Sequence, residues 1–157
     1  MLLTMTTLSL NRKARHYYEI LETWQAGLVL LGVEVKAIKT GHINLDGAYV
    51  SVKNSEAFLI NASIPAYQPA NTPKDYSPTR TRKLLLTRQE LQSLIDKTNQ
   101  KGLTLVPLRV YTKQGYLKLE IGLGRGKKHF DQRQDIKQRE AKREIDRAMR
   151  IKSESRL

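Results

Sequence analysis

A mainly β fold is what this sequence predicts: an OB-like antiparallel β-barrel with two or three short helices and a basic C-terminal tail. Three observations lead there. Short stretches of apolar/polar alternation recur between turn signals, one stretch alone carries a capped helical pattern, and strand–helix–strand alternation of the parallel-sheet kind does not occur. Closing short antiparallel strands into a ring removes their exposed edges, so a barrel is favoured over an open sheet. With 157 residues, 39% hydrophobic and 27% charged, the chain can fill one core and still carry an appendage.

Residues 1–10 hold Thr4, Thr6, Thr7 and Ser9 among apolar residues and read as a flexible leader. The barrel spans 11–124. Tyr17–Leu31 is a β-favouring stretch with a bend or bulge expected at Gly27, and a short helix follows over Val33–Lys39, stopped by Thr40 and Gly41. Ala48, Val50 and Val52 alternate with Tyr49, Ser51 and Lys53, so the first three face inward. Asn54-Ser55-Glu56 forms a turn into a returning strand over Phe58–Ala62. Pro65, Pro69, Pro73 and Pro78 then interrupt regular structure as far as Arg80, Arg82 and Lys83. Thr87 and Glu90 have the spacing of a capping box, Leu91, Leu94 and Ile95 supply one buried stripe, and Gly102 ends that helix. Leu103–Tyr111 and Tyr116–Gly122 form a hairpin around residues 112–115. In it Leu117, Leu119 and Ile121 face in, and Tyr116, Lys118 and Glu120 face out.

The tail, residues 125–157, has 12 Lys/Arg against 6 Asp/Glu, a net +6. Its stripe of Ile136, Ala141, Ile145 and Met149 is too thin to anchor a helix on the barrel. The segment is expected to be disordered when free and helical when a polyanion neutralises it.

Charge decides the class of partner. Lys and Arg number 28 and Asp and Glu 15, giving +13 and a pI near 10.1. Self-repulsion of that size is offset by a polyanion, and RNA is preferred to a membrane because no run of 18 apolar residues exists. The absence of cysteine excludes disulfides and thiolate metal sites and suits a cytoplasmic protein. His16, His42 and His129 have no metal-ligand spacing, and Glu34, Glu120 and Asp131 fall on separate elements. No catalytic site, metal, cofactor or small-molecule substrate is therefore expected. Gly122-x-Gly124-x-Gly126-Lys127 lacks the spacing of a phosphate loop and reads as a flexible exit from the last strand.

Lys118 and the Arg80, Arg82, Lys83 cluster are candidate phosphate contacts, with Tyr111 and Tyr116 as stacking surfaces beside them. Glu34 has two functional readings. It accepts from base amino groups or a 2′-hydroxyl, or it holds a neighbouring arginine in place. As a residue type on a short helix, it is more often plain surface.

Several stretches together resemble one family, the SsrA-binding protein (small protein B). They are Asn11-Arg12-Lys13-Ala14 with Tyr18, Ala26-Gly27-Leu28, Gly32-Val33-Glu34-Val35-Lys36, and Arg80-x-Arg82-Lys83-Leu84-Leu85-Leu86. Further along come Gly102-Leu103-Thr104-Leu105-Val106-Pro107 and Gly126-Lys127-Lys128-His129-Phe130-Asp131-Gln132-Arg133. The resemblance implies a barrel that binds the tRNA-like domain of transfer-messenger RNA and, with elongation factor Tu, delivers it to the small subunit of stalled ribosomes. It places Arg12, Lys13, His16, Glu34, Lys36, Arg80, Arg82, Lys83 and Lys118 on the RNA-binding barrel, with Leu84–Leu86 supporting it from the core. It also places Gly126, Lys127, Lys128, Phe130, Asp131 and Arg133 in a tail that enters the vacant messenger channel, with Phe130 stacking on a decoding-centre base of the ribosomal RNA. Gln132 departs from the family's usual lysine, and one point charge is missing there. The alternative reading is a general OB-fold RNA-binding translation factor or RNA chaperone.

Overall fold

The structure is a computed structural model that describes residues 5–127 and 129–154; for 129–132, 135 and 151–154 the side chains lie outside the described set. It falls into two compact units, one ending at Gly126 and one beginning at Lys127. The first contains β1 (Met5–Leu10), α1 (Arg12–Tyr17), β2 (Tyr18–Leu28), α2 (Gly32–Lys39), β3 (Tyr49–Lys53), β4 (Glu56–Ile60) and β5 (Arg82–Leu85). It continues through α3 (Arg88–Thr98), β6 (Leu103–Lys113) and β7 (Tyr116–Gly126). Every strand pairing is antiparallel. Six strands close a ring in the order β6-β3-β4-β5-β2-β7, sealed by the β6–β7 pairing, and β1 adds to the side of β6. The mainly β barrel read from the sequence is thus present.

Local chemistry explains most of the elements. Asn54 and Ser55 (φ 53° and 58°) and Gln114 and Gly115 (φ 53° and 81°) make two-residue turns of positive φ, the hairpin geometry that matches strand twist. These turns let β4 begin at Glu56, two residues before the expected start, and let β6 and β7 run the full length from Leu103 to Gly126. α2 ends where Gly41 adopts φ +83°. Thr87 caps α3 by accepting from the Glu90 N–H at 3.2 Å, while its hydroxyl donates to the Glu90 carboxylate at 2.7 Å. Leu94 of that helix is completely buried with Ile38, Leu59, Leu105, Leu119 and Ile121, each such side chain contributing about 1.5–3 kcal/mol when removed from water.

Three expectations are corrected. Residues 5–10 are not a flexible leader: they pair with Arg109–Lys113 as β1, and Asn11 pins the join. Asn11 caps α1, donates from Nδ2 to Pro107 O at 2.8 Å and is nearly fully buried. The bulge in β2 lies between Ile20 and Glu22, whereas Gly27 sits in regular pairing. The glycines before Lys127 are not a flexible exit either. A Cβ at Gly122 would stand 2.9 Å from Leu108 and one at Gly124 2.9 Å from Tyr18, so both are required for close packing under α1.

The second unit contains α4 (His129–Glu154). Its Ile136, Ile145 and Met149 are 41%, 56% and 65% exposed, so the stripe seen in the sequence is uncovered.

Candidate nucleic-acid interface

The outer wall of the barrel brings one sequence-predicted cation into a built surface. Gly27 in β2 pairs with Lys118 of β7 on one side and with Leu85 of β5 on the other. Residues paired directly across strands share a face, so Lys118, the bare backbone of Gly27 and Leu85 form a row. Leu85 is 53% exposed and its Cβ would lie only 3.3 Å from a Cβ at Gly27. Gln25, exposed on the same face of β2, pairs with Glu120 beside the row. A cation, a flat backbone and an exposed apolar side chain together suit a sugar–phosphate ridge.

The period of β5 decides where its residues go. Arg82 and Leu84 are buried, and Lys83 and Leu85 face outward, so an arginine enters the interior and a leucine leaves it. This corrects two expectations: Arg82 presents no phosphate contact, and Leu85 is surface rather than core. Lys83 remains outside, 3.4 Å from Glu56.

Arg82 is held by Glu34, and both are fully buried. Nε of Arg82 donates to Oε2 of Glu34 at 2.8 Å, Nη1 to Ala62 O at 2.6 Å and Nη2 to Pro78 O at 2.9 Å. Arg80 forks onto both carboxylate oxygens, with Nε at 3.0 Å from Oε2. The Leu31 N–H donates to Oε1 at 2.8 Å, and the Tyr76 hydroxyl, which also lies beside the carboxylate, donates to Ile64 O at 2.7 Å. Burial pushes the Glu34 pKa up, but hydrogen bonds from Arg80, Leu31 and Arg82 outweigh it and leave the carboxyl below its ordinary value. Of the two functional readings of Glu34, the one that stands is the holding of arginines. The cluster ties α2 to β5 and to the proline-rich segment. Direct contact of Glu34 with RNA is ruled out by its burial.

The remaining barrel candidates lie apart from these. Arg12 and Lys13 are exposed on α1, and Lys13 pairs with Asp46 at 3.4 Å. His16 packs edge-on against Tyr17, with ring centroids 4.9 Å apart. Lys36 is exposed on α2. Lys13, Tyr17, Tyr18 and Tyr49 border a groove of about 410 Å³, where Tyr17 and Tyr49 are each about half exposed. The sequence had suggested Tyr111 as a stacking surface. Tyr111 is completely buried, and burial pushes its pKa up; Tyr116 is 71% exposed. The tyrosine groove escaped the sequence reading because α1, Gly47 and Thr104 meet only in the fold, although Asn11 as a helix cap was a usable signal.

In the tail, Gly126 ends β7, Lys127 is half-buried and Arg133 is exposed on α4. Lys128 and the side chains of Phe130 and Asp131 lie outside the described residues. Among the described residues no group of His, Cys, Asp and Glu has metal-site geometry, and no helix is long and apolar enough to cross a membrane.

The family model described as SmpB protein matches residues 8–151. The chain belongs to the SmpB protein family. Among similar proteins, the SsrA-binding protein of Thermosynechococcus vestitus is 51% identical over 147 residues, covering 94% of this chain and 97% of that one. The SsrA-binding protein of Gloeobacter violaceus is 52% identical over 140 residues, with 89% and 91% covered. That of Shouchella clausii is 48% identical, with 89% of each covered. A solved chain from a structure of tmRNA-SmpB and the bacterial ribosome shares 45% identity at a TM-score of 0.64, covering 77% of this chain and 85% of that one. SmpB family membership therefore rests on sequence and fold together.

Proposed function

We propose that this chain binds the tRNA-like domain of transfer-messenger RNA (SsrA) and serves trans-translation, the rescue of stalled ribosomes. The observation that carries this reading is 51% identity to an SsrA-binding protein along nearly the whole of both chains. The barrel (11–124 with the end of β7) grips the RNA through the Lys118–Gly27–Leu85 row, with Lys83 beside it. Lys36 adds positive charge from α2. Arg12, Lys13 and His16 on α1, with the tyrosine groove beside them, add to the RNA-binding side of the barrel. Arg80, Arg82 and Glu34 act indirectly, by fixing the wall. The tail, from Lys127 onward once β7 has ended, takes its stable helical form, α4, in the vacant messenger channel. There Lys127, Lys128 and Arg133, with Asp131 among them, line the contact with ribosomal phosphates, and Phe130 stacks on a base. Elongation factor Tu accompanies delivery. The protein is cytoplasmic, catalyses no reaction and needs no cofactor.

Titration into the tRNA-like domain at physiological salt, with unrelated structured RNA in excess, tests the reading. Binding that survives the competitor supports it. Binding that collapses leaves the net charge as the only attraction, and the general OB-fold translation factor or RNA chaperone takes its place. Removing 127–157, which leaves β7 whole, is expected to leave that binding within about threefold while abolishing tagging on stalled ribosomes. Tagging by the truncated protein would overturn the division of labour.

A further inference from the structure

A second glutamate between two arginines lies on the barrel wall, beside the Lys118 row. The bulge between Pro107 and Arg109 resets the register of β6, so that Arg109 stands opposite Glu120 and Tyr111 opposite Lys118. Arg109 donates from Nε to Glu120 Oε2 at 2.6 Å and from Nη1 to Thr7 Oγ1 at 3.1 Å. Its guanidinium lies 4.5 Å from the Tyr111 ring centroid. Arg15 of α1 approaches the other carboxylate oxygen, Nη2 to Oε1, at 4.0 Å. The Glu120 side chain is only 15% exposed, against 27% for Arg109 and 61% for Arg15. The anion is thus the most covered of the three, Arg109 is partly exposed and Arg15 lies mostly in solvent.

We infer that Glu120 is a positioning residue that fixes Arg109 and Arg15 as a two-guanidinium ledge, which extends the Lys118 row and takes backbone phosphates of the bound RNA. The inference rests on the reading of that row as an RNA-binding surface. Three features point to a ledge for phosphate rather than a plain surface ion pair. Arg109 is immobilised from three sides by Glu120, Thr7 and the Tyr111 face, so little side-chain entropy remains to be lost when a phosphate binds. With Nε and Nη1 committed, Nη2 is left for an incoming acceptor, and a planar guanidinium offers it in fixed geometry. Glu120 and Lys118 are two apart on one strand, so the ledge and the row lie side by side on one face.

The sign of one substitution separates this proposal from simple electrostatics. Removing a carboxylate from a protein that binds a polyanion strengthens binding when that carboxylate only repels. A positioning carboxylate behaves oppositely, so Glu120→Ala is expected to weaken binding of the tRNA-like domain. Glu120→Gln, which keeps an oxygen to accept from Arg109, is expected to restore it. Arg109→Ala is expected to weaken binding by about tenfold and to lower the slope of log affinity against log salt by about one. Arg109→Lys, which keeps the charge, is expected to retain the slope. Thermal melting of each variant, matching the parent, secures the comparison. Tighter binding by Glu120→Ala, or an unchanged salt slope in Arg109→Ala, overturns the ledge. Lys118→Ala measured alongside keeps the two readings apart. A reduced slope there with none in Arg109→Ala removes the ledge alone, whereas no change in either removes the row and the ledge with it.

Discussion

Two glutamates in this barrel each sit between two arginines, and they do different work because one is inside and one is at the rim. Glu34, Arg80 and Arg82 form a cluster whose carboxylate is fully buried and accepts from both arginines and from a backbone N–H. Glu120, Arg109 and Arg15 repeat the composition on the wall, with partly exposed side chains and one loose contact. Burial makes the first set of interactions obligatory, since Arg82, fully buried, would without its carboxylate be a charge out of water with no counterion. Partial exposure leaves the second set able to receive a further anion while Glu120 still holds Arg109. The same two residue types therefore serve architecture in one place and, on our inference, an RNA surface in the other, and a motif-level reading of charge cannot tell them apart.

The largest effect is expected at the buried cluster. Glu34→Ala should cost about 3–5 kcal/mol, read as a lower urea midpoint; a loss below about 1 kcal/mol would place Glu34 with the rim cluster and end the distinction. Acid should expose the same difference. The Glu34 carboxyl is held below its ordinary value in the folded protein, so the unfolded chain takes up the proton first as pH falls. The stability it contributes is complete above the ordinary carboxylate range and is lost as pH drops through the folded value. A urea series into acid should show this limb in the parent and a flatter one in Glu34→Gln; identical limbs would count against it. At the rim, Glu120→Ala is expected to shift stability by no more than about 1 kcal/mol, whatever it does to RNA binding. The smallest effect is expected at Tyr111, whose buried hydroxyl has no partner among the described residues. Tyr111→Phe should leave stability unchanged or raise it by up to about 1 kcal/mol. A clear loss in melting temperature would mean that the hydroxyl has a structural partner.

Much of the barrel was legible because its signals are local. The α3 cap at Thr87, the Gly41 stop, the Gln114-Gly115 turn and the inward set Leu117, Leu119 and Ile121 all depend on neighbours within a few residues. What escaped depends on distant pairing. Met5–Leu10 has no charge pattern or turn to mark it as a strand, and it becomes one because Arg109–Lys113 lies alongside. Arg82 was legible in principle, since period two from Leu84 puts it inside, but an arginine is so rarely buried that residue type overrode register. The row of Lys118, Gly27 and Leu85 was half legible: Lys118 was recognised as outward, while Leu85 was assigned inward with its neighbours. Tyr111 shares a strand face with Arg109 and looks equally exposed in sequence. In the fold it is completely buried, with the Arg109 guanidinium 4.5 Å from its ring centroid and Thr7 of β1 paired beside it.

The position of β7 in the ring also governs how the protein is made. It is the last strand, and it pairs along its length with both β2 and β6, so no nascent chain that stops short of it can seal the barrel. Until the ribosome has passed Gly126, the long edge of β2 is left open to pair with another chain. A message for this protein broken before that point therefore yields a fragment prone to aggregate, and its own product stands among those that most need removal.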